Sequence, residues 1–320
     1  MKLSVIIPNY NGVMYLSKCL EALEKQDYRD FDIIVVDDAS TEEGVEETVA
    51  MYPRARLIRH EVNEGFASSV NDGIKATDAD YVFLLNNDAY VDDGCLRELL
   101  AAIEKDGQFS RTFSVQCKML SAFNHALIDN AGDFYNILGW ARSRGKDKLA
   151  DSHSKAGEVF SACAGAAIYN RKVLMELGLF DENHISYLED VDLGYRARIY
   201  GYVNMYEPNA KVFHEGSATS GSRHNEFKVF LSARNSILVR VKNQTLLQKI
   251  VNFPAQEMGI IIKMLFFMNK GLGKAYRQGL KEGRKIKKTD NLQFRKVVFD
   301  SAKRKRAWAL ELEMIKNLIY

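Results

Sequence analysis

The sequence predicts an α/β fold in which helices flank a mainly parallel sheet, and three observations support this. Short apolar runs alternate with helical patterns through the first half of the chain. The runs are continuous rather than alternating, as in strands that are buried on both faces of a parallel sheet. Several runs end in polar clusters, as expected where ligands bind beyond the carboxyl ends of parallel strands.

The predicted elements follow one another in chain order. Helical spacing of leucines predicts a helix at 12–26, and a second helix is expected at 66–77. The stretch 105–160 combines a candidate strand at 112–120 with a loop rich in glycine and basic residues at 139–148. Four apolar runs predict buried strands, at 3–8, 31–40, 54–60 and 81–88.

Composition indicates an ordinary globular protein. The chain has 320 residues, 47% apolar and 27% charged, enough for a core domain of about 200–250 residues and an appendage. Met1 leads directly into a strand-like run, so no signal peptide is expected. Four cysteines without paired spacing predict neither a disulfide framework nor a zinc site and fit a reducing cytosol: Cys19, Cys95, Cys117 and Cys163.

The C-terminal part of the chain differs in character, so we place a boundary between a domain at 1–245 and an extension at 246–320. The run 246–268 is apolar but interrupted, and it lacks the roughly 20 consecutive apolar residues of a spanning helix. From Lys270 to Arg306, 14 lysines and arginines stand against three acids. An amphipathic helix and a basic segment that contact the membrane through 246–306 are the favoured interpretation. Nucleic-acid binding and a solvated basic helix are the alternatives.

Six segments carry the strongest pattern: "SVIIPNYNGVMYLSKCLEAL", "IIVVDDASTEEG", "NEGFASSVNDGI", "FLLNNDAYV", "SACAGAAIYNRKVLMELGLFDENHISYLEDVDLGYRARIYGY" and "PNAKVFHEGSATS". In order and spacing, over about residues 3–220, they resemble the family 2 glycosyltransferases, inverting enzymes with a GT-A fold. The closest likeness is to the rhamnosyltransferase branch. The resemblance implies transfer of a sugar from dTDP-rhamnose or a UDP-hexose to a glycan or lipid-linked acceptor in cell-surface polysaccharide synthesis.

The acidic pair Asp37-Asp38 has two interpretations. The residues favour helix caps and turns, and the resemblance instead makes Asp38 the acceptor of the N3–H of a pyrimidine base. Pro8 and Tyr10 would then flank the base. Further nucleotide contacts are expected, by resemblance, from Asn63 and Asn71.

The stretch Asn86-Asn87-Asp88 departs from the Asp-x-Asp pattern of the family. The resemblance assigns Asp88 to Mg²⁺ or Mn²⁺, and one carboxylate with phosphates and waters suffices for such an ion. Asn86 replaces the aspartate that contacts the ribose, and Asn87 is expected near the nucleotide. We hypothesise that a deoxyribose donor such as a dTDP-sugar loses less by this replacement, because it has no 2′-hydroxyl.

The segment "EDVDL" supplies the expected base. Its acids fit the first turn of a helix, with Asp192 paired to Arg196 four residues on. By resemblance Asp190, rather than Glu189, removes the proton of the acceptor hydroxyl in an inverting displacement. Asp192 is then structural.

The remaining predicted site residues are spread through the second half of the chain. His214 ends a strand and is either structural or, by resemblance, a further metal ligand. The row of small residues at 161–171 is either tight packing of a strand or, by resemblance, a wall of the sugar site. We assign four residues to the pocket of donor and acceptor: Gly165, Ala166, Trp140 and Arg223.

Two rival functions share some of these features. A sugar nucleotidyltransferase would have similar early strands, and a non-catalytic module would use its basic tail to bind nucleic acid. The "EDVDL" segment and His214 favour the transferase, and no nucleic-acid motif is found. We therefore expect a cytoplasmic enzyme at the inner face of the cell membrane. The sequence does not decide whether the enzyme is a monomer or an oligomer.

Overall fold

Most strands join one ten-stranded sheet. The computed structural model describes residues 2–105, 107, 111–216, 224–286 and 296–319. In these residues the strands are β1 (Leu3–Asn9), β2 (Phe31–Asp37), β3 (Ala55–Arg59), β4 (Tyr81–Leu85), β5 (Ala89–Val91), β6 (Thr112–Ser121), β7 (Ile128–Asn130), β8 (Asp133–Tyr135), β9 (Ala141–Ser143), β10 (Gly157–Val159), β11 (Ala166–Asn170) and β12 (Val203–His214). The helices are α1 (Val13–Glu24), α2 (Val45–Ala50), α3 (Phe66–Lys75), α4 (Cys95–Glu104), α5 (Arg171–Leu177), α6 (Glu189–Tyr200), α7 (Glu226–Asn243), α8 (Leu246–Asn269), α9 (Gly273–Ile286) and α10 (Ser301–Lys316).

The strand order is β10-β12-β6-β11-β4-β1-β2-β3, with β5 paired to β12 and β7 to β6. The four strands predicted from apolar runs, β1 to β4, pair in parallel. Strand β11 is antiparallel to both β4 and β6, whereas β6 and β12 are parallel. The predicted α/β fold with a mainly parallel central sheet is confirmed.

Alternate residues of the strands are buried against different helices, which explains the continuous apolar runs. In β1, Val5 and Ile7 belong to a cluster with Leu20 of α1 and Leu99 of α4. Ile6 belongs to a second cluster, on the opposite face, with residues of α3, α5 and α6. Burial on both faces stabilises the sheet through the hydrophobic effect and fixes its register.

Four helices, α7 to α10, follow the last strand of the sheet and pack against other helices. Helix α9 approaches α7 closely, since a Cβ on Gly283 would lie 2.5 Å from the carbonyl oxygen of Arg234. Helix α10 packs on α6, where Arg198 forms an ion pair with Glu313 at 2.7 Å. Helix α9 thus covers α7, and α10 covers α6, the helix that begins with the predicted base segment.

Helix α8 runs through Pro254 without a break. It has 24 residues, and its most apolar window has a mean hydropathy of 1.3, which is long and apolar enough to cross a membrane by length and composition alone. Only 28% of that window is buried. Its exposed apolar residues recur every three or four positions: Leu246, Leu247, Ile250, Val251, Phe253, Met258, Ile261, Ile262, Leu265, Phe266 and Met268.

Candidate active site

The carboxyl ends of β1, β2 and β4 open into one cavity of about 550 Å³. Parallel strands direct their carboxyl ends to the same edge of a sheet, so polar residues distant in sequence meet there. The cavity brings together most of the predicted site residues: Pro8, Tyr10, Asp38, Asn63, Asn86, Asn87, Asp88, Gly165, Glu189, Asp190 and His214.

The carboxylate of Asp38 contacts the loop that follows β3 and holds it in place. Its Oδ1 accepts a hydrogen bond from the backbone N–H of Glu64 at 2.8 Å and lies 2.9 Å from Nδ1 of His60. Its Oδ2 accepts one from Gly65 N–H at 2.8 Å. A carboxylate offers about four acceptor positions, so Asp38 retains capacity for a donor from the cavity.

The two asparagines after β4 have different roles. The Nδ2 of Asn87 donates to Oδ1 of Asn9 at 2.8 Å and to the carbonyl of Asn11 at 3.0 Å, which ties the ends of β1 and β4 together. The side chain of Asn86 has no hydrogen bond to any described residue and lines the cavity. A Cβ on Gly165 would lie 3.1 Å from Nδ2 of Asn86. Asn86 is therefore free to bind a ligand, and Gly165 leaves it room.

Asp88 belongs to a chain of charged groups. Its Oδ1 lies 3.2 Å from Nε2 of His214, and Nδ1 of His214 lies 2.8 Å from Oδ2 of Asp129, which also pairs with Lys146. Burial alone would lower the pKa of His214, but the hydrogen bonds to Asp129 and Asp88 outweigh it and raise the pKa to about 10. Metal-bound histidines are commonly oriented by a carboxylate on their second nitrogen, so Asp88 and His214 fit a divalent cation.

The carboxyl groups of Asp133, Glu189 and Asp190 form a second acidic cluster. Glu189 and Asp190 are the first two residues of α6, and Asp133 lies in β8. Burial and the charge of Asp190 raise the pKa of Glu189 and of Asp133 well above their usual values. Burial also raises the pKa of Asp190, but by less, because the backbone N–H groups of Val191 and Ala164 donate hydrogen bonds to it. These hydrogen bonds favour the ionised form of Asp190.

Cys163 lies within the same cluster. One ligand atom each from Asp133, Cys163 and Asp190 lies within 4.8 Å of the others, close enough to hold an ion. Burial, followed by the charges of Asp190 and Asp133, raises the pKa of the Cys163 thiol well above its usual value. By their proximity, Asp133, Cys163 and Asp190 are therefore a second candidate for a metal site, beside Asp88 and His214.

A strained loop precedes the cluster. Three of its residues have left-handed backbone angles, which are costly for bulky side chains: Ile185 (φ 62°), Tyr187 (φ 70°) and Leu188 (φ 66°). The side-chain amide of Asn235 in α7 holds this loop by donating to backbone carbonyls. Its Nδ2 lies 2.7–2.9 Å from the carbonyl oxygens of His184, Ser186 and Tyr187. Asn235 thus supports the backbone that leads directly into Glu189 and Asp190.

Asp192, in the first turn of α6, belongs to a buried network of charged side chains. It accepts hydrogen bonds from Arg196 and Lys242 at 2.7 Å each. Lys242 also pairs with Asp181 at 2.5 Å. The predicted pairing of Asp192 with Arg196 is confirmed.

Residues 4–178, more than half of the chain, match the model of Glycosyl transferase family 2. The chain belongs to this family. The glycosyltransferase is 25% identical over 267 residues, 73% of this chain and 85% of the relative, to the N-acetylglucosaminyl-diphospho-decaprenol L-rhamnosyltransferase of Mycobacterium tuberculosis. Family membership makes the protein an enzyme and sets aside the nucleotidyltransferase and the non-catalytic module.

Solved structures share the fold of the glycosyltransferase. GalNAc-T7 with UDP, GalNAc and Mn²⁺ has a TM-score of 0.59 at 18% identity, and covers 75% of this chain and 47% of its own. The 1–349 part of S. aureus TarS, in complex with UDP-GlcNAc, has a TM-score of 0.54 at 16% identity, and covers 89% and 92%. The predicted GT-A fold is therefore confirmed.

Four predicted site residues lie elsewhere or outside the described residues. Asn71 is buried, and its amide group is used by Phe180 and Glu182, so the prediction that it contacts the nucleotide is wrong. Ala166 is fully buried in the sheet, in β11, and only Gly165 before it reaches the cavity. Trp140 lines a neighbouring cavity and donates to the carbonyl of Gly259 at 3.2 Å. Arg223 lies outside the described residues.

Sequence reasoning missed Asp129 and Asp133. Both lie in "IDNAGD", in a region where no regular pattern was recognised. Gly132, with φ 100°, turns the chain between them, so one acid reaches His214 and the other reaches Asp190. The sequence signal that could have identified these two residues is a pair of acids on either side of a glycine.

Proposed function

We propose that the glycosyltransferase moves a sugar from a nucleotide diphosphate donor to a glycan or lipid-linked acceptor by an inverting single displacement. The observation that carries the proposal is that Asp190 lines the same cavity as Asp38, Asp88 and His214. A base, a nucleotide contact and a candidate metal site thus face one space. This is the arrangement that an inverting transfer needs, because the attacking hydroxyl and the leaving nucleotide lie on opposite faces of the sugar.

Asp190 acts as the base in this proposal. Its carboxylate accepts the proton of the acceptor hydroxyl as the oxygen attacks the sugar carbon and the nucleotide diphosphate leaves with the electron pair of the broken bond. Glu189 and Asp133 keep their protons to higher pH than Asp190, since burial and the Asp190 charge raise their pKa values most. Both are therefore poor bases at the pH at which Asp190 is ionised.

Asp88 and His214 would hold a divalent cation, which would neutralise the charge of the leaving diphosphate when bound. The imidazole nitrogen favours Mn²⁺ over Mg²⁺, because Mg²⁺ is bound almost entirely by oxygen ligands. Binding would require a neutral His214, so it would release the proton that Asp88 and Asp129 hold on the ring.

Asn86 bears on which nucleotide sugar is the donor. It lines the cavity as a neutral amide where the family has a carboxylate, and it has no described hydrogen-bond partner. A dTDP-sugar such as dTDP-rhamnose fits this departure, because its deoxyribose has no 2′-hydroxyl for a carboxylate to bind. The similarity to a rhamnosyltransferase that acts on a lipid-linked acceptor supports the same donor and acceptor class.

Contact with the membrane surface completes the proposal. The apolar residues of α8 are exposed along one length of helix, and α9 adds a polar face rich in lysine and arginine. An apolar stripe beside a basic one suits an anionic bilayer surface. We place the enzyme at the inner face of the cell membrane, with its extension beginning at residue 246.

The experiment is a panel of dTDP-rhamnose and UDP-hexoses with Mn²⁺, Mg²⁺ or a chelator, read by nucleotide release. We expect turnover with a metal, loss with the chelator, and a fall of about 10²–10⁴-fold in kcat for Asp190→Asn. Unchanged turnover in Asp190→Asn would remove Asp190 as the base. Competition binding of dTDP and UDP in the same assay tests Asn86, and a clear preference for UDP would contradict the dTDP-sugar assignment.

A further inference from the structure

A second cavity, of about 480 Å³, adjoins the first. It lies between the Trp140 loop and helices α7, α8 and α9. The two cavities have five lining residues in common: Ala141, Ser143, Tyr187, Lys228 and Ser232. A molecule seated in the second cavity would therefore reach the wall of the cavity that contains Asp190.

The second cavity is cationic. Lys263 and Arg240 both line it, and none of its lining residues is an aspartate or a glutamate. Lys263 lies 5.5 Å from the ring centre of Trp140, and no acid among the described residues pairs with it. Burial and the nearby charge of Arg142 lower its pKa to about 8. Among the described residues, Arg240 donates hydrogen bonds to the carbonyl of Ser236 and to Oε1 of Gln256, both neutral groups, and the charge of Glu257 acts on it from outside the cavity lining.

Positive charge in a partly enclosed space that no acid lines attracts an anion, because desolvation weakens the hydration of the cations and the walls concentrate their field. Lysine and arginine are also the side chains that bind phosphate oxygens most strongly. The charge of the cavity thus points to a phosphorylated ligand.

The rest of the cavity wall is apolar and continues onto the surface. Phe266, Phe267, Ile260 and Tyr276 line it. Phe266 is 47% exposed and belongs to the apolar row of α8. Phe266 therefore joins the cavity wall to the exposed apolar row of α8, on which an alkyl or isoprenoid chain would lose contact with water.

We infer that the second cavity binds the diphosphate of an isoprenoid-diphosphate-linked acceptor. Lys263 and Arg240 bind the phosphate oxygens, the isoprenoid chain follows the apolar row of α8, and the sugar end enters the first cavity at Asp190. The inference rests on the proposed function and adds to it the place of the acceptor. A bilayer phospholipid has the same kinds of group, but the wall shared with the cavity of Asp190 suits a ligand that continues as the acceptor sugar.

The test uses the tryptophan inside the cavity as its own reporter. The chain has two tryptophans, so Trp308→Phe leaves Trp140 as the single fluorophore. In this full-length background, farnesyl diphosphate is titrated and the quenching of Trp140 gives Kd. Farnesol, inorganic diphosphate and phosphatidylglycerol vesicles are titrated in the same way.

We expect farnesyl diphosphate to bind more tightly than farnesol or diphosphate alone. Lys263→Gln should weaken its binding about tenfold or more, because one charged hydrogen bond is lost. Lys263→Arg should retain binding, and so should Lys274→Gln, a matched control on the exposed side of α9. Melting temperatures identify any variant that is not folded, and Lys263→Arg keeps the test valid if Lys263→Gln is unstable.

Two results would overturn the inference. One is equal binding of farnesyl diphosphate by Lys263→Gln and the parent chain, and the other is quenching by phosphatidylglycerol vesicles but not by farnesyl diphosphate. Binding of dTDP and UDP is measured in every variant and is expected to be unchanged. If nucleotide binding and the effect of Asp190→Asn persist while the Lys263 effect is absent, the acceptor site is wrong and the proposed function stands. If both are absent, the proposed function itself fails.

Discussion

Asp190 differs from its two acidic neighbours in what surrounds its oxygens. Two backbone N–H groups, of Val191 and Ala164, donate to Asp190, whereas one oxygen of Glu189 is buried with no hydrogen-bond partner among the described residues. Hydrogen bonds to a carboxylate stabilise its ionised form, and burial without them stabilises the neutral form. The surroundings therefore favour ionisation of Asp190 over ionisation of Glu189. Three negative charges in one buried cluster would repel one another.

The pH dependence of the enzyme follows from this order of ionisation. In its proposed role as the base, Asp190 acts only when deprotonated, and burial raises its pKa, so kcat/KM should fall with decreasing pH at a value above the ordinary aspartate pKa of about 3.9. Glu189→Gln and Asp133→Asn replace protonated acids by neutral amides of similar shape, so both should retain kcat within about tenfold.

The measurement is a pH profile of nucleotide release for the parent chain and these two variants. A loss of activity in Glu189→Gln as large as that in Asp190→Asn would contradict the assignment and make Glu189 the base.

At the scale of single elements, the loop at 185–188 depends on a helix far from it in sequence. Its three left-handed residues are strained, and strain of this kind persists only where surrounding structure fixes it. Asn235 of α7 supplies that support through its hydrogen bonds to three carbonyls of residues 184–187. Gly65 packs against the other side, where a Cβ would lie 2.6 Å from Cγ2 of Ile185.

Asn235→Asp should therefore lower activity while the fold remains. The substitution keeps the size of the side chain but replaces the amide donor by a carboxylate that repels the carbonyl oxygens. We expect kcat to fall about tenfold or more, since a small displacement of a base has effects of this order, with little change in the Kd of the donor nucleotide. Glu226→Gln, at an exposed position of the same helix that lines neither cavity, is the control, and equal kcat in both variants would count against the role of Asn235.

The elements that sequence predicted well were those with a local signal. Continuous apolar runs identified β1 to β4, whereas the roles predicted for Asp38 and Asp190 rested on the family resemblance and stay predictions. Asn71 was misassigned because the spacing of residues in α3 does not reveal which face is turned to Phe180. Asp133 was missed because its proximity to Asp190 arises only from the tertiary fold, 57 positions away in the chain.

At the scale of the whole molecule, the buried Lys242 connects α7 to α6 and to the segment that precedes it. It is fully buried and pairs with two carboxylates, Asp181 and Asp192. Burial alone would raise the pKa of Asp192, but Lys242 and then Arg196 outweigh it and hold the pKa well below its usual value. A depressed carboxylate pKa contributes stability above the unfolded pKa of about 4, and this contribution is lost as pH falls through the folded pKa.

Lys242→Met should lower the free energy of unfolding by about 3–5 kcal/mol, because two buried carboxylates lose their shared cation. Urea unfolding at neutral pH measures this loss. Lys281→Met, on the exposed side of α9, should change the free energy by less than about 0.5 kcal/mol. A loss below about 1 kcal/mol in Lys242→Met would show that the network contributes little to stability.

The packing of α10 on α6 limits how far this chain can be shortened. Leu310 and Met314 of α10 share an apolar cluster with Val191, Tyr195 and Ile199, which follow the base along α6. A fragment that stops at residue 245 would keep every acid of the active site and still expose this flank of the base helix to water. Truncated proteins made for crystallisation or screening should therefore extend through residue 319.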